Sequence, residues 1–410
     1  MSIATAPRTR LRWLMIALVF LATVINYLDR QTLSVLAPVL QDEFHMSATE
    51  YSRIVFAFML AYTIMNGLSG PIIDRVGTKV GYALTIAWWS GAEVLHALSR
   101  GVVSLGIFRF LLGMGEAGNW PAAVRVVAEW FPAEERALAS GIFNSGSSIG
   151  ALIAPPLVAW IVLRMGWPQA FLIVGLTGFV WLAAWSMIYR TPAKTESSAS
   201  GKQVPMRALL GSRFLWQFTA SKVLSDPVWY FYIFWFPQYL KTARGFTLLQ
   251  IGKTAWIPFL AADVGNLFGG AFSLFLLRRG QASFAAHRLA VILFSALMTA
   301  AIPAVLVGSP ALAIALVAIA AFGYTASLAN MLAIPADAFP KNAVASVWGF
   351  ASMGAGFGGM LFSLITGPLV DHYSFTPAFM LFGIIPLFAA ALVWFLPATP
   401  PRNELDATSC

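Results

Sequence analysis

GIFNSGSSIG at residues 141–150 returns as GFASMGAGFG at 349–358, so that Gly141, Gly146 and Gly150 fall on Gly349, Gly354 and Gly358 at an offset of 208. The same offset carries Glu129, Phe131 and Pro132 onto Asp337, Phe339 and Pro340, and Gly115 onto Gly323. Both glycine segments lie inside long apolar runs. Small residues at such spacing let membrane helices approach backbone to backbone, and an alternative use of the same glycines is direct contact with a bound solute. A chain that repeats itself at half its length is a duplicated helical bundle, an arrangement suited to binding between halves that rock.

Composition fixes the solvent. Of 410 residues 59% are hydrophobic and 10% charged, with a mean hydropathy of +0.75, against about 25% charged in soluble domains. Apolar runs long enough for a hydrocarbon core of about 30 Å predict helices at 13–37, 50–72, 79–98, 102–128, 136–163 and 168–189, then at 213–240, 249–277, 287–307, 310–334, 343–369 and 375–397. The fold class is therefore an all-α integral membrane protein of twelve transmembrane helices in two pseudo-symmetric six-helix bundles, 13–189 and 213–397, joined by a polar linker at 190–212. The first run follows Arg8, Arg10 and Arg12 but is too long for a signal-peptide core, and reads as a retained helix.

The net charge of +9 is explained by topology. With the N-terminus inside, sixteen of the 26 Lys and Arg residues fall on the cytoplasmic side and six outside, which puts both termini in the cytoplasm and removes the reason to invoke nucleic acid. The single cysteine, Cys410, allows no intrachain disulfide. No metal-spacing motif, nucleotide loop or nucleophile–base arrangement is present, so no enzyme, no metal and no cofactor is expected.

Charges do occur where lipid surrounds them. NYLDRQ at 26–31 sits near the middle of the first run, where an unpaired charge costs about 3 kcal/mol or more. The loop after the second helix reads GPIIDRVGTK, and Gly70, Asp74, Arg75, Gly77 and Lys79 are read as a gate whose ion pairs tie helix ends together, the alternative being a charged turn that stops the helix. These features, with RFLLGMGEAG at 109–118, resemble the major facilitator superfamily over nearly the whole chain. NYLDR, GEAGNWPAA, EWFPAEER and FNSGSSIGALIAPPL are similar to its anion:cation symporter branch, and WIPFLAADVGNLFGG with YSFTPAF to bacterial hexuronate transporters. One departure is LLRRGQ after the eighth helix, which lacks the loop aspartate and leaves a symmetrical second gate in doubt.

Adjacent residues on a helix point about 100° apart, so Asp29 and Arg30 need separate partners. Arg109 and Glu116, at i and i+7, lie on one face of the fourth span. The expected constellation pairs Asp29 with Arg109, leaving Arg30 to the cavity and Glu116 nearby; a purely structural ion network is the alternative. The resemblance implies that Asp29 and Glu116 take up protons, with Arg109 in the same group, and that Arg30 binds a substrate carboxylate. Glu116 maps onto Tyr324, so proton handling concentrates in the first half. Hydroxyl recognition is then expected from Asn266, Tyr324, Asn330 and Ser352, with Tyr27, Tyr62, Asn66, Asn144 and Ser147 contributing from the first half. Lys222 and Asp226, four apart, are expected to pair, Asp263 is left open between packing and binding, and Glu93 with His96 is placed near the interface.

The expectation is a proton-coupled symporter of the bacterial inner membrane that imports a hexuronate such as galacturonate or glucuronate. It needs only the organic anion, protons and the lipid bilayer, and works as a monomer. A galactonate-like, glucarate-like or aromatic carboxylate is the alternative substrate, and a non-transporting sensor the alternative class.

Overall fold

The computed structural model describes residues 6–131, 135–190, 206–339 and 341–397, and these are helical apart from short connections. In chain order the helices are α1 (Ala6–Phe44), α2 (Ala48–Val76), α3 (Thr78–His96), α4 (Val102–Glu116), α5 (Asn119–Trp130), α6 (Arg136–Met165), α7 (Trp167–Ile188), α8 (Met206–Leu210), α9 (Arg213–Thr242), α10 (Leu248–Thr254), α11 (Ile257–Arg278), α12 (Ser283–Leu297), α13 (Ala301–Ala304), α14 (Pro310–Ala338), α15 (Lys341–His372) and α16 (Phe375–Trp394). Linker residues 191–205, Pro132, Pro340 and Cys410 lie outside the described residues, as do residues 1–5; Arg8, Arg10 and Arg12 fall within α1.

Three of the twelve expected spans are broken, and proline decides where. The span at 102–128 is two helices, α4 and α5, the span at 249–277 is α10 and α11, and the span at 287–307 passes from α12 through a 3-10 turn, Met298–Ala300, into α13. Pro121, Pro258 and Pro303 lie four residues after Ala117, Thr254 and Thr299, whose carbonyls therefore lose the usual helical donor. At Ala117 the Ser69 hydroxyl supplies a replacement at 3.3 Å. Pro155 and Pro156 are accommodated within a continuous α6.

Among the described residues, nine helical stretches are long and apolar enough to cross a membrane. The expected spans that fall short are α3, the α4–α5 pair and α9. These carry Glu93 with His96, Arg109 with Glu116, and Lys222 with Asp226. Helices α4 and α5 are 15 and 12 residues long, so each alone is too short, while the hydropathy of α3 and α9 is lowered by aromatic and polar residues as well as by their charges.

The chain divides into two compact units. One contains the described residues up to Arg190 together with Phe234–Trp256; the other contains 206–233 and the helices from Ile257 onward. Within the first, the end of α9 is held by Tyr51, whose hydroxyl donates to the Phe234 carbonyl at 2.8 Å, and by Lys241, which donates to the Pro38 carbonyl at 3.0 Å and pairs with Asp42.

The repeat is visible inside each unit. A Cβ on Gly150 would lie 2.5 Å from the Val24 carbonyl oxygen, and one on Gly358 would lie 2.3 Å from that of Val223, so α6 seats on α1 as α15 seats on α9. The partner residues are 199 apart, not 208. Helices α2 and α10 begin alike as well, on capping boxes from Ser47 with Glu50 and from Thr247 with Gln250, motifs that satisfy orphan amides at the first turn.

Gly150→Ala should lower the thermal midpoint of the detergent-solubilised protein by the equivalent of about 1–3 kcal/mol, because the α1 backbone has to move. Gly141→Ala meets nothing within 4 Å and should be neutral or stabilising. Tryptophan fluorescence melts of both variants compare them directly.

Candidate functional site

Helix α1 carries NYLDRQ through the interior of the first unit, where Asn26, Asp29 and Gln31 are completely buried and Arg30 is 3% exposed. Arg30 turns toward α4. Its Nε and Nη2 donate to the same oxygen of Glu116, Oε2, at 3.0 and 2.7 Å. The guanidinium sits against the rings of Tyr27, Phe58 and Tyr62, with centroids 4.8–5.2 Å away. Those faces offer the negative quadrupole that stabilises a desolvated cation. Glu116 Oε1 accepts no hydrogen bond, so the pair is one-oxygen rather than bidentate and retains acceptor capacity.

This pairing corrects the constellation expected from spacing. Arg109 does not clasp the Asp29 carboxylate; its Nη2 reaches the Asp29 backbone carbonyl at 3.4 Å, and its Nε has no partner. Both Asp29 carboxylate oxygens are buried without a hydrogen bond. Seven residues span about 10.5 Å of helix, and Arg109 and Glu116 meet α1 through different groups, Arg109 at the Asp29 backbone carbonyl and Glu116 at the end of the Arg30 side chain. The long Arg30 side chain reaches Glu116, and the short Asp29 side chain leaves α1 in another direction.

A second correction concerns Glu93 and His96, which are fully buried rather than interfacial. The signal was present: Tyr82, Ile86, Trp89, Glu93 and His96 fall at spacings of 4, 3, 4 and 3 and are all buried, the inward stripe of a helix. Glu93 and His96 extend it with polar groups, both within electrostatic reach of Arg109.

The remaining first-unit residues divide. Tyr27 and Tyr62 join Arg30, and Ser147 lies within hydrogen-bonding reach of the Tyr27 hydroxyl while donating to the Asn144 carbonyl at 2.7 Å. Asn66 is half-buried and Asn144 exposed. In the second unit Tyr324 is buried and stacks on Trp229 at 5.4 Å with the planes 6° apart, while Ser352 is half-buried and Asn266 exposed. Asn330 departs from the expected role. Its amide donates to the Gly269 and Ala326 carbonyls at 3.0 and 2.8 Å, stitching α14 to α11. Lys222 pairs with Asp226 at 2.6 Å as expected, its ammonium 4.9 Å from the centroid of the Trp348 ring.

At the end of the bundle where α2 meets α3, Asp74 pairs with Arg125 of α5 rather than with Arg75 or Lys79 beside it. Arg125 also donates to Glu129 at 3.0 Å, and Glu129 accepts from Thr78 and, at 2.6 Å, from Tyr189. Gly77, at φ +84°, makes the turn between α2 and α3, and a Cβ added to Gly70 would lie 4.0 Å from the Pro121 side chain. The Lys79 carbonyl accepts from the Trp185 indole at 3.0 Å. In the second unit Asp337, the repeat counterpart of Glu129, accepts from Ser283 and contacts His287 Nδ1, both at 2.7 Å. A single carboxylate, Asp337, held by Ser283 and His287, thus stands at the place corresponding to Glu129 although LLRRGQ lacks an aspartate. A cavity of about 240 Å³ between α2, α3 and α4, lined by Met65, Ser69, Leu84, Thr85 and Trp88 among others, contains no ionisable group and none of this chemistry.

Comparison with known proteins agrees with the architecture. The family description "Major Facilitator Superfamily" matches residues 19–302 and 282–409. The hexuronate transporter of Escherichia coli (strain K12) is 34% identical over 96% of both chains, and the galacturonate transporter of Dickeya chrysanthemi is 36% identical over 70% of this chain and 89% of its own. The D-galactonate transporter of Escherichia coli O6:H1 is 30% identical over 93% of this chain and 94% of its own. A bacterial homologue of the human lysosomal transporter Spinster, solved inward-facing and unoccupied, superposes with a TM-score of 0.73 over 97% of this chain and 95% of its own at 19% identity, a likeness of fold alone. The two family matches together cover residues 19–409, and the chain belongs to the Major Facilitator Superfamily as a multi-pass membrane transporter, not an enzyme.

Proposed function

We propose that this protein is a proton-coupled symporter that imports a hexuronate, such as galacturonate or glucuronate, across the bacterial inner membrane by alternating access. The observation that carries the reading is the Arg30–Glu116 pair, a cation and a carboxylate on different helices, both buried, joined through one oxygen. Arg30 presents a planar fork suited to a carboxylate, and Glu116 already occupies it. A substrate carboxylate can take that place only when Glu116 gives it up, and protonation of Glu116 is the step that does so. Substrate and proton then enter together because each removes the cost the other creates: an unpaired buried guanidinium, or an unpaired buried carboxylate.

Asp29, beside Arg109 and without a hydrogen-bond partner of its own, is the second proton acceptor. Loading both carboxyls carries two protons with one monoanion and moves net positive charge inward. The neutral polar groups Tyr62, Ser147, Tyr324 and Ser352 are assigned to the sugar hydroxyls. The Asp74–Arg125–Glu129 cluster is assigned to the cytoplasmic gate, with both termini on that side, and one chain is the functional unit. The hexuronate and galacturonate transporters among the relatives support the substrate class. The D-galactonate transporter supports a neighbouring sugar acid as the second reading, and counterflow against a panel of unlabelled acids separates the two.

Uptake of labelled galacturonate into proteoliposomes under an inward proton gradient tests the scheme. Arg30→Ala should lower uptake by about a hundredfold or more, the scale expected for removing one partner of a buried charge pair, and Arg30→Lys should not restore it. Glu116→Gln should retain counterflow and lose gradient-driven accumulation; full accumulation in that variant would place the proton elsewhere.

The gate makes a separate prediction. Asp74 is 72% exposed in its side chain, so its pair contributes less than about 1 kcal/mol to stability. Asp74→Asn should leave the melting temperature unchanged, Arg125→Gln, which also gives up the Glu129 contact, should lower it, and both should slow uptake and combine non-additively in the double variant.

A further inference from the structure

The buried charges of the first unit do not balance in pairs. Arg30 is matched by Glu116. Arg109 is left with two carboxylates, Asp29 and Glu93, both fully buried and both with neither oxygen hydrogen-bonded. Arg109 is itself 1% exposed and under-used, with one long contact to a backbone carbonyl and an unpartnered Nε. Asp29, Glu93 and Arg109 are electrostatic neighbours of one another.

His96 does not supply the missing positive charge. Its Nδ1 contacts the Ala92 carbonyl at 2.8 Å and lies 3.6 Å from Glu93 Oε2, and the ring stacks on Phe171 with centroids 5.0 Å apart. A carbonyl accepts, so Nδ1 holds the proton. Nε2 is buried with no acceptor, and a second N–H there would be an unsatisfied buried donor. The other elements against α3 contribute no substitute. Helix α1 brings Asp29 and Arg30, α2 brings Tyr51, whose hydroxyl is given to Phe234, and α4 brings Arg109 and Glu116. Helix α5 brings Arg125 and Glu129, which pair at the far end, and α7 contains no ionisable residue. One cation facing two carboxylates in a dry interior leaves one carboxylate to be neutral, because like charges in a shared buried site do not both ionise.

We propose that Glu93 and Asp29 share a single proton and that Arg109 pairs with whichever of the two is ionised, making Glu93 a third proton-handling carboxylate of the bundle. A proton lost from the Glu93 carboxyl is balanced by one bound at an Asp29 carboxylate oxygen, so the negative charge passes from Asp29 to Glu93. Arg109 follows it from α1 to α3. No other reactant is needed. His96 is a positioning residue that closes the α3 end of the cluster. The place of this proton in transport rests on the symport reading above; its sharing by the two carboxylates does not.

Infrared difference spectroscopy of the reconstituted full-length protein tests the sharing without any substrate. The parent should show a protonated carboxyl C=O stretch that shifts on exchange into deuterium oxide. That band should vanish in Glu93→Gln and equally in Asp29→Asn, since either variant leaves Arg109 one ionised partner, and should persist in Glu116→Gln. A band that survives Glu93→Gln and is lost only in Asp29→Asn overturns the proposal. If Glu93→Gln does not assemble, Glu93→Asp should move the band, and an unmoved band overturns it as well.

Transport then separates the two readings. With an inward gradient of one pH unit, each coupled proton supports accumulation of about tenfold. Glu93→Gln should lower the galacturonate accumulation ratio while keeping counterflow, and Glu93→Asp should restore it in part. A parent that accumulates galacturonate alongside a Glu93→Gln variant that accumulates it equally overturns the role of Glu93 in coupling. A parent that accumulates none overturns the symport reading, while the infrared result still decides the shared proton.

Discussion

An arginine inside a membrane-spanning bundle has to be answered by a negative charge, and in this protein the answer is Glu116 on another helix. Leaving either partner unpaired costs about 3–5 kcal/mol, against less than about 1 kcal/mol for an exposed pair such as Asp74–Arg125. That difference decides which contact governs the structure. Helix α4 must stay beside α1 for as long as Arg30 and Glu116 are both charged. Phe58 and Tyr62 of α2 complete the surroundings of the guanidinium. The close seat of α6 on α1 at Gly150 holds Tyr27 against the same group. One ion pair thus fixes the mutual placement of α1, α2, α4 and α6, and a change in its protonation acts on four helices together.

The repeat was legible in the sequence because close backbone approach admits only small residues, so contacts leave glycines at fixed spacing. Gly146 and Gly150 against Gly354 and Gly358 record such contacts. Their partners on α1 and α9 are not glycine, so nothing in the sequence signalled that the first spans repeat at 199 or 200 rather than 208. The capping boxes at Ser47 and Thr247 carry that register, written in polar residues at helix starts. Helix breaks at Ala117, Thr254 and Thr299 follow from prolines four residues later, yet Pro155 and Pro156 break nothing. A missing donor permits a break; whether it occurs depends on what else fills the turn.

The members of the candidate site were more legible than their partners. Charged residues in an apolar run announce themselves, so Asp29, Arg30, Arg109 and Glu116 could be named from composition alone. Pairing depends on side-chain length and on the direction each residue leaves its helix, and there Arg30 rather than Arg109 meets the carboxylate. Asn330 shows the opposite limit. An asparagine at cavity depth reads as a ligand group, but its NH2 donates to the Gly269 carbonyl of α11 and the Ala326 carbonyl of its own helix, leaving Oδ1 alone without a partner. Glu93 and His96 were misplaced by attention to the helix end and not to the stripe Tyr82, Ile86, Trp89 that they continue.

The duplication copied scaffolding and left the chemistry unequal. Glycine seats, capping boxes and a hydrogen-bonded carboxylate, Glu129 or Asp337, recur in both units, whereas Glu116 becomes Tyr324. The second unit does have a buried pair, Lys222 with Asp226, but both residues lie on α9 one turn apart. A pair within one helix moves as that helix moves, and its making or breaking changes no distance between helices. Arg30 with Glu116 joins α1 to α4, and Arg109 of α4 reaches the Asp29 carbonyl of α1. Pairs that cross between helices are the ones whose making or breaking changes a distance between helices. Among the described residues, the first unit has one such pair almost fully buried, Arg30 with Glu116, whereas His287 with Asp337, which joins α12 to α14 in the second unit, is less deeply buried.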